Sequence, residues 1–409
     1  MNDHATYVPR YLSKSITNAL KSSPVVVITG ARQTGKSTLV QHLEENGSRL
    51  YDSLDDIDTL ELASSNPDTL VNGEGKICFD EVQRSPSLLL SVKRAIDKHR
   101  TAGRFILTGS ANLLLMKRVS ESLAGRAACF SLLPFCRQEV LGTGAVGIWQ
   151  DLFLLPPTKW EDRCRAQRAV AENWRDVALR GGYPVPALQL TGDDERALWF
   201  TGYTRTYLER DLQDLVGVSS MVDFRRMMRA VCLRLGNIVN QTELARDIGL
   251  SQPTVHRHLN VLEVSHQLVR LPAYSVNRTK RLIKSPKAYW TDTGLALNLS
   301  GEKQPQGCHL ENMILCDLLA WQGSGEGQEL FYWRTTTGEE VDFVIEWNGM
   351  LLPVEVKTAK TPRLADTRHL QSFRAQYKRT SLPALLIHAG NDVRWLTDGV
   401  FAVPWWMVV

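Results

Sequence analysis

The stretch VVVITGARQTGKSTLVQHL, residues 25–43, opens as an apolar run, breaks at Gly30 and resumes with helical periodicity after Lys36. Gly30 to Ser37 fits GxxxxGK[ST] at every fixed position. Glycines let a backbone wrap closely around phosphate with its N–H groups aimed inward. The N-terminus of the helix that follows adds a favourable dipole for an anion. In such a loop Lys36 reaches the β- and γ-phosphates and Ser37 ligates Mg²⁺. The expected nucleotide-binding set is Gly30, Ala31, Arg32, Gln33, Thr34, Gly35, Lys36, Ser37 and Thr38, with ATP and Mg²⁺ as cofactors. An ordinary glycine turn shares the spacing but not the strand before it and the helix after it.

Outward from this loop, short β-rich runs alternate with helical patterns. PVVVITG (24–30), KICFDE (76–81) and RFILTGS (104–110) end in Gly, Asp, Glu or Ser, and SLLLSVKRAIDKHR (87–100) reads as a helix between two of them. This alternation predicts an α/β fold, a parallel sheet covered by helices. Ligands of such sheets bind at the carboxyl ends of the strands, where all three motifs fall. Asp80 is expected to hold Mg²⁺ through water and Glu81 to polarise the attacking water. Taken alone, the pair is also a common solvated strand end. Thr108 or Ser110 is a candidate γ-phosphate sensor. Arg126 reads either as an interface arginine acting on a neighbouring subunit's nucleotide or as a surface salt-bridge partner.

A chain of 409 residues suits two to four domains. Its 43% hydrophobic and 22% charged content is ordinary for a soluble globular protein. The net charge of +4 says less than where the charge sits. Seven cysteines without a CxxC pair argue against a zinc ribbon or disulfide framework and fit reduced thiols. With neither a secretory h-region nor an apolar run of membrane length, a soluble cytoplasmic protein is expected, with no membrane partner.

Residues 136–235 read as mostly helical, broken at LPPTKW and RGGYPVP. NQTELARDIGLSQPTVHRHLNVLEVSHQLV (240–269) then carries a helix-turn-helix pattern. Thr242 is the expected cap of the first helix and Leu244, Ala245 and Ile248 its buried face. Gly249 tightens the turn. Ser251 caps the second helix, with Pro253 in its first turn and Val255, Leu259 and Leu262 inward. Outward positions Gln252, Thr254, His256, Arg257 and His258 suit phosphates or base edges. The next segment reads as two strands joined by a basic tip, a wing. From His266 to Thr291 there is no Asp or Glu, whereas Arg270, Arg278, Lys280, Arg281, Lys284 and Lys287 are present. Such a patch is an electrostatic footprint for a polyanion, and DNA is the expected partner. The competing reading is a protein-docking scaffold with a basic solvated face.

HLENMILCDLLAWQ (309–322) reads as a helix with Leu310, Ile314 and Leu318 on one face. GEEVDFVIEWNGMLLPVEVKTAKT (338–361) reads as a hairpin around Asn348-Gly349. Alternation along its strands directs Glu355 and Lys357 to one face, which Asp342 approaches from the facing strand. Asp342 and Glu355 have the hard oxygens that suit Mg²⁺, Glu311 adds a third carboxylate, and Lys357 supplies a positive group. That set is a candidate nuclease centre. An ExK on a half-exposed strand also arises as a simple charge pair.

The runs ITGARQTGKSTLVQHL, SLDD, FDEVQRSP, GRFILTGSANLLL, ESLAGR and LRGGYP, with HLENMI, GEEVDFVIE and PVEVK, resemble AAA-type ATPases of bacteria and archaea. In that family a C-terminal domain of uncharacterised function has a restriction-endonuclease-like character. The resemblance implies a P-loop ATPase core over 1–135 and a helical lid over 136–235. A winged helix over 236–298 and a nuclease-like α/β domain over 299–409 follow. It also implies a homo-oligomer, often a hexamer, with Arg126 acting in trans. Glu311, Asp342, Glu355 and Lys357 all match the nuclease-like positions. No sensor-2 arginine is identifiable, and Arg180 stands in as a guess. The expected function is ATP-driven remodelling of, or translocation on, DNA, with Mg²⁺-dependent cutting by the C-terminal domain. The alternative is an ATP-dependent regulatory switch whose winged helix docks a protein or an operator, the C-terminal domain being a non-cutting clamp.

Overall fold

A computed structural model describes residues 7–43, 49–110, 122–167, 170–208 and 220–409. Strands β1 (Val25–Thr29), β2 (Arg49–Ser53), β3 (Lys76–Asp80), β4 (Phe105–Thr108) and β5 (Ala127–Ser131) form one sheet in the order β2-β3-β4-β1-β5. Every pairing in it is parallel. Side chains alternate across a strand, so β1 splits its apolar run between two cores. Val25 and Val27 join Phe79, Phe105 and Leu107 beneath helix Pro86–Lys98, which contributes Leu88, Val92 and Ile96. Val26 and Ile28 join Cys78 and Ile106 beneath Leu12, Ile16, Leu39 and Val40. Burial on both faces explains why the strands read as unbroken apolar runs.

Short helices between Arg137 and Tyr203, then helix Met221–Cys232, lead to the pair of helices in the segment read as a helix-turn-helix. Its first helix, Gln241–Ile248, is capped by Asn240, whose side chain accepts from the N–H groups of Thr242 and Glu243. This corrects the expected cap, Thr242. Asn at N-cap satisfies two orphan donors from one oxygen, leaving Thr242 inside the first turn. The second helix, Gln252–Val264, starts as expected, with Ser251 accepting from Thr254 N–H and Pro253 in the first turn. His258 is corrected from outward to buried, its ring lying edge-on to Phe224 at 4.8 Å.

Strands β6 (Leu268–Leu271) and β7 (Lys287–Trp290), in the segment expected as a wing, pair antiparallel. Their connection is helical at Arg278–Ile283, capped by Asn277, where a plain basic tip was expected. An isolated bridge from Ala273 to Tyr332 ties the wing to the C-terminal sheet.

That sheet comprises β8 (Glu329–Arg334), β9 (Glu340–Trp347), β10 (Met350–Lys357), β11 (Ala384–His388), β12 (Arg394–Thr397) and β13 (Val400–Pro404). Their order is β12-β13-β11-β10-β9-β8. The expected β9–β10 hairpin turns at Asn348 (φ 50°) and Gly349 (φ 75°), the left-handed pair that a two-residue hairpin requires. Leu310, Ile314 and Leu318 of helix Gly307–Gln322 face the sheet as read from sequence. One apolar core runs continuously from Ile148 to Val409 and includes Trp149, Trp160, Trp290, Trp321 and Trp405. The three segments expected as lid, winged helix and C-terminal domain therefore share a core. Arg137 Nη1 donates to the Val409 carbonyl at 2.6 Å and Trp149 Nε1 to Asp317 Oδ1 at 2.5 Å across it.

Candidate functional site

The loop after β1 turns at Gly30 (φ 152°), where a Cβ would collide with the carbonyl oxygen of Leu132. Gly35 (φ 89°) is the N-cap of helix Lys36–Gln41. Both positions lie in backbone regions where side chains are strained. Lys36 is 5% exposed, and its Nζ donates to the carbonyls of Gly30 at 3.1 Å and Ala31 at 2.8 Å. Thr34 Oγ1 donates to Ala31 O at 2.9 Å. Arg32 is half-buried, whereas Gln33 and Thr38 are exposed on the rim.

Ser37 Oγ donates to Asp80 Oδ2 at 2.6 Å, so the two expected Mg²⁺ residues meet. Tyr51 donates to the same oxygen at 2.5 Å and Thr108 to Asp80 Oδ1. Of the two candidate sensors it is Thr108 that donates to Asp80; Ser110 is buried beyond β4. Glu81 follows at φ 57°, a left-handed conformation uncommon for a non-glycine residue, and accepts from Gln83 Nε2. The Ser37 hydroxyl and the Asp80 carboxylate fit a hard cation. Arg126 forms a surface ion pair with Asp97 at 2.7 Å. Arg180 is bound to Glu172 at 3.3 Å.

Sequence reasoning missed three groups around this loop. Buried Arg10 donates to Thr34 O at 2.9 Å, pairs with Glu139 at 3.1 Å and lies 4.2 Å from the Phe135 ring centre. Tyr203 donates to Arg32 O at 3.4 Å and accepts from Gln267, just before β6, at 3.2 Å. His266, which precedes Gln267, has its pKa pushed down to about 4 by burial and then by the Lys36 ammonium. No motif flags these groups, because each reaches the loop from far along the chain.

The C-terminal set also converges. Asp342 Oδ2 accepts from Val356 N–H across the hairpin at 2.9 Å, and Lys357 Nζ lies 2.6 Å from Glu355 Oε1. Glu355 Oε2 is buried without a hydrogen-bond partner among the described residues. An unexpected cation completes the group. Lys287 Nζ lies 2.6 Å from Glu340 Oε1, 3.3 Å from Glu311 Oε1 and 3.5 Å from Asp342 Oδ1. Tyr289 donates to Glu311 as well. Burial, followed by the Asp342 charge, holds Glu311 and Glu355 above the usual carboxylate range. Burial alone would lower the Lys287 pKa, but Glu311, Asp342 and Glu340 more than offset it and hold the ammonium charged. Among the described residues no three His, Cys, Asp or Glu side chains are placed to hold a metal ion. In this arrangement the set does not fit a divalent cation.

On helix Gln252–Val264, Gln252, His256 and Arg257 are exposed and Thr254 is half-buried. His256 is held between Gln241 and Asn260 at 3.2 and 3.1 Å. A groove of about 640 Å³ runs between the start of this helix and the wing, past Gln241, Arg270, Arg281 and Lys284. Arg278, Lys280 and Lys284 are exposed. Arg281 is corrected. It is buried against Glu346 at 2.7 Å and Glu329 at 3.4 Å, and its guanidinium stacks over Tyr274 and Phe331. Arg270 pairs with Glu263 at the half-exposed edge of the same groove.

No helix among the described residues is long and apolar enough to cross a membrane, and all seven cysteines are free.

Residues 22–141 match the family model of the AAA domain. Residues 171–306 and 306–408 match two domains of unknown function, DUF8612 and DUF4143. The chain is 30% identical over 400 residues to the uncharacterised protein Rv2008c of Mycobacterium tuberculosis. It has the same identity to Mb2031c of Mycobacterium bovis. The alignments cover 95% of this chain and 82% of each relative. The solved Walker-type ATPase PABY2304 of Pyrococcus abyssi superposes with a TM-score of 0.43 at 18% identity, covering 73% of this chain and 99% of that one.

Proposed function

Because the chain belongs to the family of these two mycobacterial proteins and carries its AAA domain as a P-loop ATPase, we propose that it hydrolyses ATP to drive work on DNA. The convergence of Ser37, Asp80 and Thr108 beside the loop of Lys36 carries the reading. Lys36 exchanges its two loop carbonyls for β- and γ-phosphate oxygens. Glu81 orients and deprotonates the attacking water. Ser37 and Asp80 would hold Mg²⁺, which would supply positive charge beside the phosphates. Arg126 serves a neighbouring subunit of a ring, exchanging Asp97 for that subunit's nucleotide.

DNA lies against Gln252, Thr254, His256 and Arg257 and the exposed wing cations Arg278, Lys280 and Lys284. Support comes from the groove that these two elements border. The C-terminal set, Asp342, Glu355 and Lys357, stays a non-cutting element in this arrangement, because Lys287 occupies the space between the carboxylates. Turnover measured with single-stranded, duplex and branched DNA tests the assignment. DNA-stimulated hydrolysis that disappears in K36A is the expected result, and turnover indifferent to every nucleic acid contradicts it.

One observation favours the switch alternative. The winged helix reaches the nucleotide loop through Tyr203 and Gln267, and His266 lies in the field of Lys36. In that reading ATP binding, rather than turnover, releases the winged helix toward a protein or an operator. A tight, salt-resistant protein partner with negligible hydrolysis favours the switch.

A further inference from the structure

Arg10 lies just before helix Leu12–Leu20, and its side chain is buried. Nε pairs with Glu139 Oε1 at 3.1 Å, Nη1 donates to Thr34 O at 2.9 Å and Nη2 donates to Leu133 O at 2.5 Å. Glu139 is held in turn, accepting from Tyr11 N–H at 2.8 Å and from Cys136 N–H at 3.0 Å. A buried charge pair needs only the carboxylate. The guanidinium fork adds two carbonyls from distant parts of the chain, one in the nucleotide loop and one just past β5. A lysine, a single point charge, cannot hold all three acceptors in one plane. The loop also rests on this stretch at Gly30, where the Leu132 carbonyl leaves no room for a Cβ.

The carbonyl on Arg10 belongs to the peptide that joins Thr34 to Gly35. In a trans peptide the C=O and the N–H point in opposite directions, so this bond turns the Gly35 N–H away from the guanidinium. Loops of this kind bind phosphate through such N–H groups. Other loop carbonyls have donors as well, Gly30 and Ala31 from Lys36 and Arg32 from Tyr203. The Lys36 bonds must break for Lys36 to reach phosphate, whereas the Arg10 bond uses no group that phosphate needs. We propose that Arg10 is a positioning residue: it holds the Thr34 carbonyl outward, and so aims the Gly35 N–H at the β-phosphate, before and after the nucleotide arrives. The proposal rests on reading Gly30 to Ser37 as a nucleotide loop. Arg10 itself does not touch the nucleotide.

The test is calorimetric titration of the full chain with Mg²⁺–ADP. R10K keeps a charge opposite Glu139 but loses the fork, and its Kd rises on the order of tenfold, as loss of one hydrogen bond to a charged group does. In steady-state turnover KM for ATP rises by the same factor while kcat holds, because the lost contact serves ground state and transition state alike. A brace with no part in phosphate binding would lower the urea midpoint and leave Kd and KM of the folded protein unchanged, and that result overturns the proposal. R10M/E139Q covers the case in which R10K fails to fold, since it leaves no unpaired buried charge. It too binds ADP more weakly, and wild-type affinity in the folded double variant overturns the proposal by itself. Wild-type binding of ADP that R10K retains sinks only the role of Arg10. A wild-type chain that binds no ADP sinks the nucleotide reading and this proposal with it.

Discussion

Two lysines, Lys36 and Lys287, are both buried, and among the described residues their partners differ in kind. Lys36 is held by carbonyls of its own loop, five and six residues away. Lys287 is held by carboxylates 24 to 55 residues away, on a helix and a strand of the C-terminal domain. Neutral carbonyls give up an ammonium readily to a phosphate. Carboxylates in a low-dielectric site do not, because the unpaired charges would remain buried. The first lysine is poised for exchange and the second holds the fold closed.

The largest expected effect tests that second role. K287M leaves Glu311, Glu340 and Asp342 without their shared cation, and breaking a buried pair costs about 3–5 kcal/mol. Urea unfolding measures it, and a loss near that of an exposed lysine would erase the contrast between the two sites. The complementary change, K36A, leaves the urea midpoint near wild type. It lowers ATP turnover by about 10²–10³-fold, as loss of a transition-state charge partner does.

A third expectation concerns the joint between the two halves. Buried Asp292 caps helix Thr293–Ser300 and accepts from Gly182 N–H at 2.6 Å. Burial pushes its pKa up to about 6, despite the N–H groups that lower it. A carboxyl raised in the folded state contributes stability below its unfolded pKa, and that stability is lost as pH rises toward 6. D292N lacks this titration. Wild type should therefore lose on the order of 2 kcal/mol relative to D292N between pH 4 and 7, read from paired urea midpoints. A constant difference would place the titration elsewhere.

What the sequence discloses follows the same division between local and distant. The nucleotide loop, the helices Gln241–Ile248 and Gln252–Val264 and the β9–β10 hairpin are written in contiguous residues, whose spacing signals their conformation. Asp342, Glu355 and Lys357 share one hairpin and were legible for that reason. Lys287, Tyr289 and Glu340 were not, since their meeting depends on how the wing packs against the sheet. The basic wing is the sharpest case. Six cations without an acid between His266 and Thr291 read as one surface. Arg270, Arg281 and Lys287 instead meet Glu263, Glu346 and Glu311, acids that lie outside the stretch. Arg10 escaped notice similarly, braced by Glu139 across 129 residues.

The smallest expected effect lies on the cations that remain outward. K280A should reduce the salt dependence of DNA binding by about one counterion and weaken affinity roughly uniformly across sequences. R281A should instead reduce stability, since Arg281 serves Glu346 and two rings. Equal salt slopes for the two variants would return Arg281 to the proposed DNA-facing set.

The central claim is hydrolysis at the nucleotide loop, and E81Q tests it most directly. The substitution keeps shape and hydrogen bonding but removes the base. ATP turnover should fall by about 10²–10⁴-fold while ATP binding, measured on the same protein, stays at the wild-type level. Turnover unchanged in E81Q would contradict the assignment of Glu81 and of the site built around it.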